Sequence, residues 1–412
     1  MNLIIKNISQ LVTVASHGKQ FKVGNEMREL HVIENAAVLI ENGIIQQIGK
    51  SDEISASDEI DVLDADGRVA LPGFVDSHTH AVFAGSRENE FAMRAEGKAY
   101  QEIAEAGGGI LSTMNATRAA TKKELLKLAN ARLNEMMKHG TTTAEIKSGY
   151  GLSPEAEMKM LEVIAELKRD HYVSVVSTFL GAHAFPPEYK ERKNDYVELI
   201  CNYMLPHIAE RGLATFCDVF CEQGYFDLHQ TEKILLEAKH HGLIPKLHAD
   251  QLTATGATVL GARLNAISVD HLEMLNDDGI AALKKSSTIA TVLPASSFFL
   301  NHTHAPARKI IDAGIPLAMA TDFNPGSAMN FSMPMAMTIA CAQMQMTPEE
   351  AITAATLNGA AALGLSHEVG SIEVGKQADI ILYSVPNYRM IPYHFGINHV
   401  WKIVKNGVQL DF

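Results

Sequence analysis

The pattern of apolar and polar positions divides the chain into two strand-rich ends around a middle of another kind. In residues 1–66, short apolar segments alternate with turns. Ala37-Val38-Leu39-Ile40 and Ile44-Ile45-Gln46-Gln47-Ile48 flank Asn42-Gly43, a hairpin signal. Residues 366–412 repeat the theme: Ala378-Asp379-Ile380-Ile381-Leu382-Tyr383, then Val400-Trp401-Lys402-Ile403-Val404, then the turn Asn406-Gly407. Together these ends predict one small β-sandwich domain, residues 1–66 plus 366–412. In residues 67–365, eight β-branched runs (69–76, 141–146, 173–180, 215–221, 244–248, 266–270, 288–293 and 316–321) alternate with helical patterns. Leu125, Leu128, Leu133 and Met136 recur near a 3.6 period within 121–139. Ser153 and Pro154 open a helix over 154–168, and Thr347 caps one over 349–363. Eight such alternations predict an α/β fold, a (β/α)8 TIM-like barrel. An open doubly wound sheet is the alternative, but no G-x-G-x-x-G follows any strand.

Composition narrows the class. With 412 residues, 47% hydrophobic and 20% charged, the chain reads as globular. Its net charge of −13 disfavours nucleic acid and anionic membranes as partners. Four cysteines without a C-x-x-C pair suit a reducing compartment. Neither a signal peptide nor an apolar run of the ~20 residues that span a bilayer is visible, so a cytoplasmic protein is expected. A homodimer is the expected assembly, since two-fold dimers are the commonest.

Metal-competent residues recur just after the predicted strands: Asp76-Ser77-His78-Thr79-His80, His183, His248-Ala249-Asp250-Gln251, Asp270-His271 and Thr321-Asp322. In a barrel these ends share one mouth. His78 and His80, two apart on a strand, face the same way. With His248 and Asp322 they make a mixed nitrogen and oxygen set suited to Zn2+ or iron. The segment 72–80, Pro72-Gly73-Phe74-Val75-Asp76-Ser77-His78-Thr79-His80, resembles the opening signature of the amidohydrolase superfamily, metal-dependent hydrolases on a distorted (β/α)8 barrel. Within it, five segments resemble one branch: Phe83-Ala84-Gly85-Ser86-Arg87, Gly140 through Leu152, Phe179-Leu180-Gly181-Ala182-His183, His248-Ala249-Asp250-Gln251, and Ala320 through Ser327. That branch hydrolyses 4-imidazolone-5-propanoate to N-formimidoyl-L-glutamate in histidine degradation.

The resemblance implies one Zn2+ or Fe3+ per subunit, held by His78, His80, His248 and Asp322. It implies substrate contacts from Arg87, Tyr150, His183, Gln251 and Ser327, with Asn324 and Gly326 at the product's glutamate end. The substrate is then a small molecule with a carboxylate tail, which Arg87 suits as a planar fork. The turn Asn324-Pro325-Gly326-Ser327 offers backbone N–H groups that could cradle a carboxylate. Asp322 is expected to relay a proton from water to the leaving nitrogen. His271 is either an oxyanion donor or water orienter, or it holds another ligand. His183 either polarises the substrate carbonyl or holds the ring. Gln251 cannot titrate and so is no general base. The resemblance also implies one cation rather than two: two-metal members of that superfamily use a carboxylated lysine at the end of strand four, and here strand four runs into Cys221-Glu222-Gln223. Glu222 and Lys147 read as supporting residues. His302 and His304 repeat the H-x-H spacing, but no strand aligns them, and they are not taken as ligands. Two other readings are another cyclic-amide hydrolase or ring deaminase of the superfamily, and a non-catalytic barrel scaffold. The scaffold would lack ligands, and none is missing.

Overall fold

The computed structural model describes residues 2–55, 60–98, 102 and 108–410. Eight parallel strands pair in sequence order: β6 (Phe74–Asp76), β7 (Thr141–Lys147), β8 (Ser174–Ala182), β9 (Phe216–Cys221), β10 (Ile244–Ala249), β11 (Ser268–His271), β12 (Ile289–Val292) and β13 (Leu317–Met319). Most of their residues are buried, as in a sheet covered on both faces. The seam between β13 and β6 is closed beyond the strands themselves. The His80 N–H donates to Phe323 O at 2.9 Å and the Asp322 N–H to His78 O at 3.1 Å, around a Thr79–Phe323 bridge. The segments that complete the barrel are therefore those carrying three of the expected metal ligands.

Eight further strands form the second sheet: β1 (Asn2–Val12), β2 (Val32–Glu41), β3 (Ile44–Lys50), β4 (Asp61–Asp64), β5 (Val69–Pro72), β14 (Ile380–Tyr383), β15 (Val400–Lys405) and β16 (Val408–Leu410). Its order is β16-β15-β14-β5-β1-β2-β3, with β4 beside β1. The sheet folds over so that Ile5, Val38, Ile380 and Val404 share one core. The β2–β3 turn meets the β15–β16 turn, where a Cβ on Gly43 would lie 2.8 Å from Asn406 O. The expected sandwich is thus one continuous sheet from both termini.

Two expected elements divide. The run 69–76 is not one barrel strand: Val69–Pro72 pairs with β1 and β14, and the barrel begins at Phe74. Pro72 has no N–H to continue a ladder, and Gly73 crosses where a Cβ would lie 2.0 Å from Thr142 Oγ1. The helix expected over 349–363 is likewise two, Pro348–Ala355 and Leu357–Ala361, broken at Thr356 (φ −124°, ψ −94°). The break lets the second piece pack on β6, and Gly359 permits that approach, since a Cβ there would stand 2.6 Å from Val75 O. The other two expected helices form as read. Thr121 makes a capping box with Glu124 for Lys122–Lys138, and Ser153 caps Pro154–Asp170.

Candidate metal centre and active site

The barrel mouth gathers side chains from across the sequence. His78 and His80 follow β6, His248 lies near the end of β10, His271 ends β11, and Asp322 follows β13. Their ligand atoms form two overlapping triples, His78/His80/Asp322 and His78/His248/His271, each with all atoms within 4.8 Å of one another. Asp322 Oδ1 stands 3.5 Å from His78 Nε2 and 3.6 Å from His80 Nε2. All five residues are 0 to 3% exposed. His78 Nε2 is buried with no hydrogen-bond partner, which is costly unless it coordinates something. Asp322 (φ +53°) and His271 (φ +86°) occupy left-handed backbone, strain of the kind that marks functional sites. Three imidazoles and a carboxylate around an orphaned ring nitrogen fit a cation such as zinc or iron.

A second layer orients the first. His78 Nδ1 donates to Asp270 at 2.7 Å and His248 Nδ1 to Asp218 at 3.1 Å, leaving each Nε2 lone pair for the centre. Beneath lies a charged network in which Lys147 has the supporting place expected of it, while Glu145, Asp218 and Lys246 were not singled out. Lys147 Nζ donates to Glu145 at 2.8 Å and to Asp218 at 2.7 Å, and lies 3.8 Å from Asp270. Lys246 lies 3.8 Å from Asp270 and 4.0 Å from Glu145. All five side chains are fully buried. Burial, then the positive charge of Lys147, holds His78 well below the usual imidazole range, so it is neutral as a ligand must be. Burial would raise Asp218, but His248 and Lys147 outweigh it and hold the carboxyl well below its usual range. Burial raises Asp322.

A cavity of about 430 Å³ opens above the centre. Arg87, Tyr150, His183, Gln251, Asn324, Gly326 and Ser327 all line it, as expected. The geometry narrows two expectations, leaving His183 the second of its two expected roles, holding the ring. His183 Nδ1 donates to Gly149 O at 3.0 Å, and burial pushes its pKa down to about 3, so the ring is neutral with a bare lone pair at Nε2. Such a nitrogen accepts a hydrogen bond and cannot polarise a carbonyl. The N–H groups of Gly326 and Ser327 do not cradle a carboxylate; both donate to Asn324 Oδ1 at 2.8 Å. Asn324 acts as the internal brace of its own turn. Glu222 accepts the N–H groups of Leu252 and Thr253, fixing the loop after β10.

The cavity also contains Arg94, Phe220, Tyr225 and His302, none of them singled out as site residues. Arg94 had a sequence signal: it lies seven residues after Arg87, two helical turns along one face. Phe220 and Tyr225 had none, because apolar strand residues look alike until the barrel closes.

The fold and this centre define a metal-dependent hydrolase of the amidohydrolase class. The amidohydrolase family model matches residues 224–409. Three solved structures share the fold: a triazine hydrolase variant (TM-score 0.74, 17% identity, 99% of this chain and 94% of that one), guanine deaminase from E. coli (0.72, 16%, 100% and 99%) and a zinc-bound adenosine deaminase from Xanthomonas campestris (0.71, 17%, 99% and 92%). Relatives in sequence are nearer. The chain is 48% identical to the imidazolonepropionase of Geobacillus sp. strain WCH70 over 98% of this chain and 97% of that protein. It is 47% identical to that of Parabacteroides distasonis over 98% of each. The chain belongs to the imidazolonepropionase family.

Proposed function

We propose that the protein hydrolyses the cyclic amide C–N bond of 4-imidazolone-5-propanoate, giving N-formimidoyl-L-glutamate in L-histidine catabolism. The observation that carries this reading is one cavity joining the imidazole–carboxylate centre to the guanidinium of Arg87. The ring has a carbonyl to attack and the tail a carboxylate to hold.

His78, His80, His248 and Asp322 hold one Zn2+ or Fe3+ per subunit. Such a cation supplies Lewis acidity, polarising a carbonyl and making water a competent nucleophile near neutral pH. Asp322 takes the proton of the attacking water and passes it to the departing ring nitrogen. The water oxygen becomes part of a new carboxylate, and the nitrogen leaves as the formimidoyl amine. His271, beside His248 at 5.1 Å between ring centroids, orients the water. His183 accepts a ring N–H at Nε2, and its stacking on His80 at 5.2 Å fixes its plane. Tyr150, Gln251 and Ser327 contact the substrate, with Asn324 and Gly326 shaping the wall at the glutamate end. Gln251 binds without titrating. Among the described residues no helix is long and apolar enough to cross a membrane. A cytoplasmic homodimer without nucleic-acid partners completes the proposal, its assembly checked by light scattering.

Metal-loaded protein incubated with imidazolone propionate should abolish the ring's ultraviolet absorbance, with a hydantoin control unchanged. Elemental analysis should find one equivalent of zinc or iron. No loss of absorbance, or equal loss with hydantoin, would overturn the assignment; metal-free protein that still turns over would overturn the centre.

A further inference from the structure

The cavity above the metal centre carries more positive charge than a single arginine supplies. Arg87 is the N-cap of the helix Glu88–Ala95, and Glu90 and Arg94, four residues apart, lie on one face of it. Arg87 gives its flat edge to Glu90, with Nε to Oε1 at 2.8 Å and Nη2 to Oε2 at 2.6 Å. Glu90 is pinned further by the Gly109 N–H at 2.8 Å. The side-on Nε/Nη2 edge of Arg87 is therefore taken, which leaves three of its five N–H groups, two on Nη1 and one on Nη2, for a substrate carboxylate.

Arg94 is differently placed. Its Nη1 donates to Gly326 O at 3.2 Å, and its guanidinium lies 5.1 Å from the Phe299 ring centroid. Phe91 stacks on the same ring at 5.2 Å, which fixes the helix beside 294–300. Among the described residues Arg94 has no ion-pair partner within 4.0 Å, and its remaining N–H groups have no acceptor. Burial and then the charge of Arg87 press its pKa below the usual range, against a smaller opposing pull from Glu90. Two half-buried guanidinium groups thus share one carboxylate, in a protein whose net charge is −13. Both meet at Gly326, where a Cβ would lie 2.3 Å from Arg87 Nη1. Asp322 is the one carboxylate among the described lining residues, and it sits with the histidines.

We propose that Arg94 is a second carboxylate-binding residue of this site, gripping the propionate tail together with Arg87 Nη1. The tail identity rests on the function proposed above; the binding of a short-chain carboxylate does not. Arg94 supplies the free donors that Arg87 has given to Glu90, and it selects acidic tails over neutral ones.

The test is calorimetric titration of metal-loaded enzyme with imidazole-4-propanoate, which has the tail but no ring carbonyl to hydrolyse, and with its propanamide counterpart. Arg94→Met should weaken the acid at least ~10-fold, the loss expected of a charged hydrogen bond, with Arg94→Lys restoring part of it. The amide should bind wild type and both variants alike, which a merely structural arginine would not produce. In turnover of imidazolone propionate, KM should rise while kcat stays within ~2-fold. Undiminished acid binding by Arg94→Met, equal losses for acid and amide, or no acid binding by wild type would each overturn the proposal. If acid binding depends on Arg94 while imidazolone propionate is not hydrolysed, the assigned reaction fails and the carboxylate site stands.

Discussion

Asp218 Oδ1 accepts two hydrogen bonds from His248, one from the backbone N–H and one from Nδ1, each at 3.1 Å. One carboxylate therefore fixes both the strand position and the ring tautomer of a proposed metal ligand. Asp218→Asn keeps an acceptor but removes the charge. Metal affinity should fall about 10- to 100-fold, the usual cost of losing such support. Chelator competition followed by elemental analysis reads this directly, and unchanged retention would show that Asp218 does not orient His248.

Lys147 neutralises that layer from below. Lys147→Met leaves Glu145 and Asp218 buried without their nearest cation. Breaking a buried pair in this way should destabilise the fold by about 3–5 kcal/mol. Urea unfolding monitored by fluorescence at pH 7 measures it; a loss under ~1 kcal/mol would mean that Lys246 and rearranged water compensate.

Gly326→Ala probes the substrate end without removing a charge. The added Cβ, 2.3 Å from Arg87 Nη1, must push aside a guanidinium held by Glu90. Substrate KM should rise ~10-fold or more as the arginine moves off its pose, with bound metal unchanged. Equal loss of metal and substrate binding would place the disturbance at Asp322 instead.

Glu373 ties the two termini together. It accepts from Ser16 Oγ at 2.9 Å, the His17 N–H at 3.1 Å and Ser371 Oγ at 2.5 Å, and lies 3.2 Å from Lys376. Burial opposes its charge, but these partners prevail and lower its pKa from 4.5 to about 2. A depressed carboxyl stabilises the fold above its unfolded pKa, so the contribution is whole above about 4.5 and lost as pH falls toward about 2. Glu373→Gln should lower stability at neutral pH, by at most ~3 kcal/mol before discounting for solvent. The gap from wild type should close through that window. Denaturation midpoints at pH 7, 4 and 2.5 check it; a gap that widens with acid reverses the sign.

The barrel was legible in the chain because most strand residues are buried and helices such as Lys122–Lys138 and Pro154–Asp170 begin at side-chain caps readable in the sequence. That His78, His80, His248 and Asp322 would meet was legible because barrel strands deliver their ends to one mouth. Other features depended on partners far away in sequence. The apolar run 69–76 reads as one strand, and only Asp379 and Thr142, packed around Gly73, divide it. The turn at Asn324 reads as a cradle of free N–H groups, and only its side-chain geometry consumes them. Glu145 and Lys246 look like ordinary strand charges until the closed barrel removes water and leaves them with Lys147 to neutralise one another. Local patterning records which groups a segment can present; which of them remain unsatisfied, and so available for chemistry, is settled by three-dimensional packing, because a hydrogen bond or charge spent inside the protein is no longer there for a ligand.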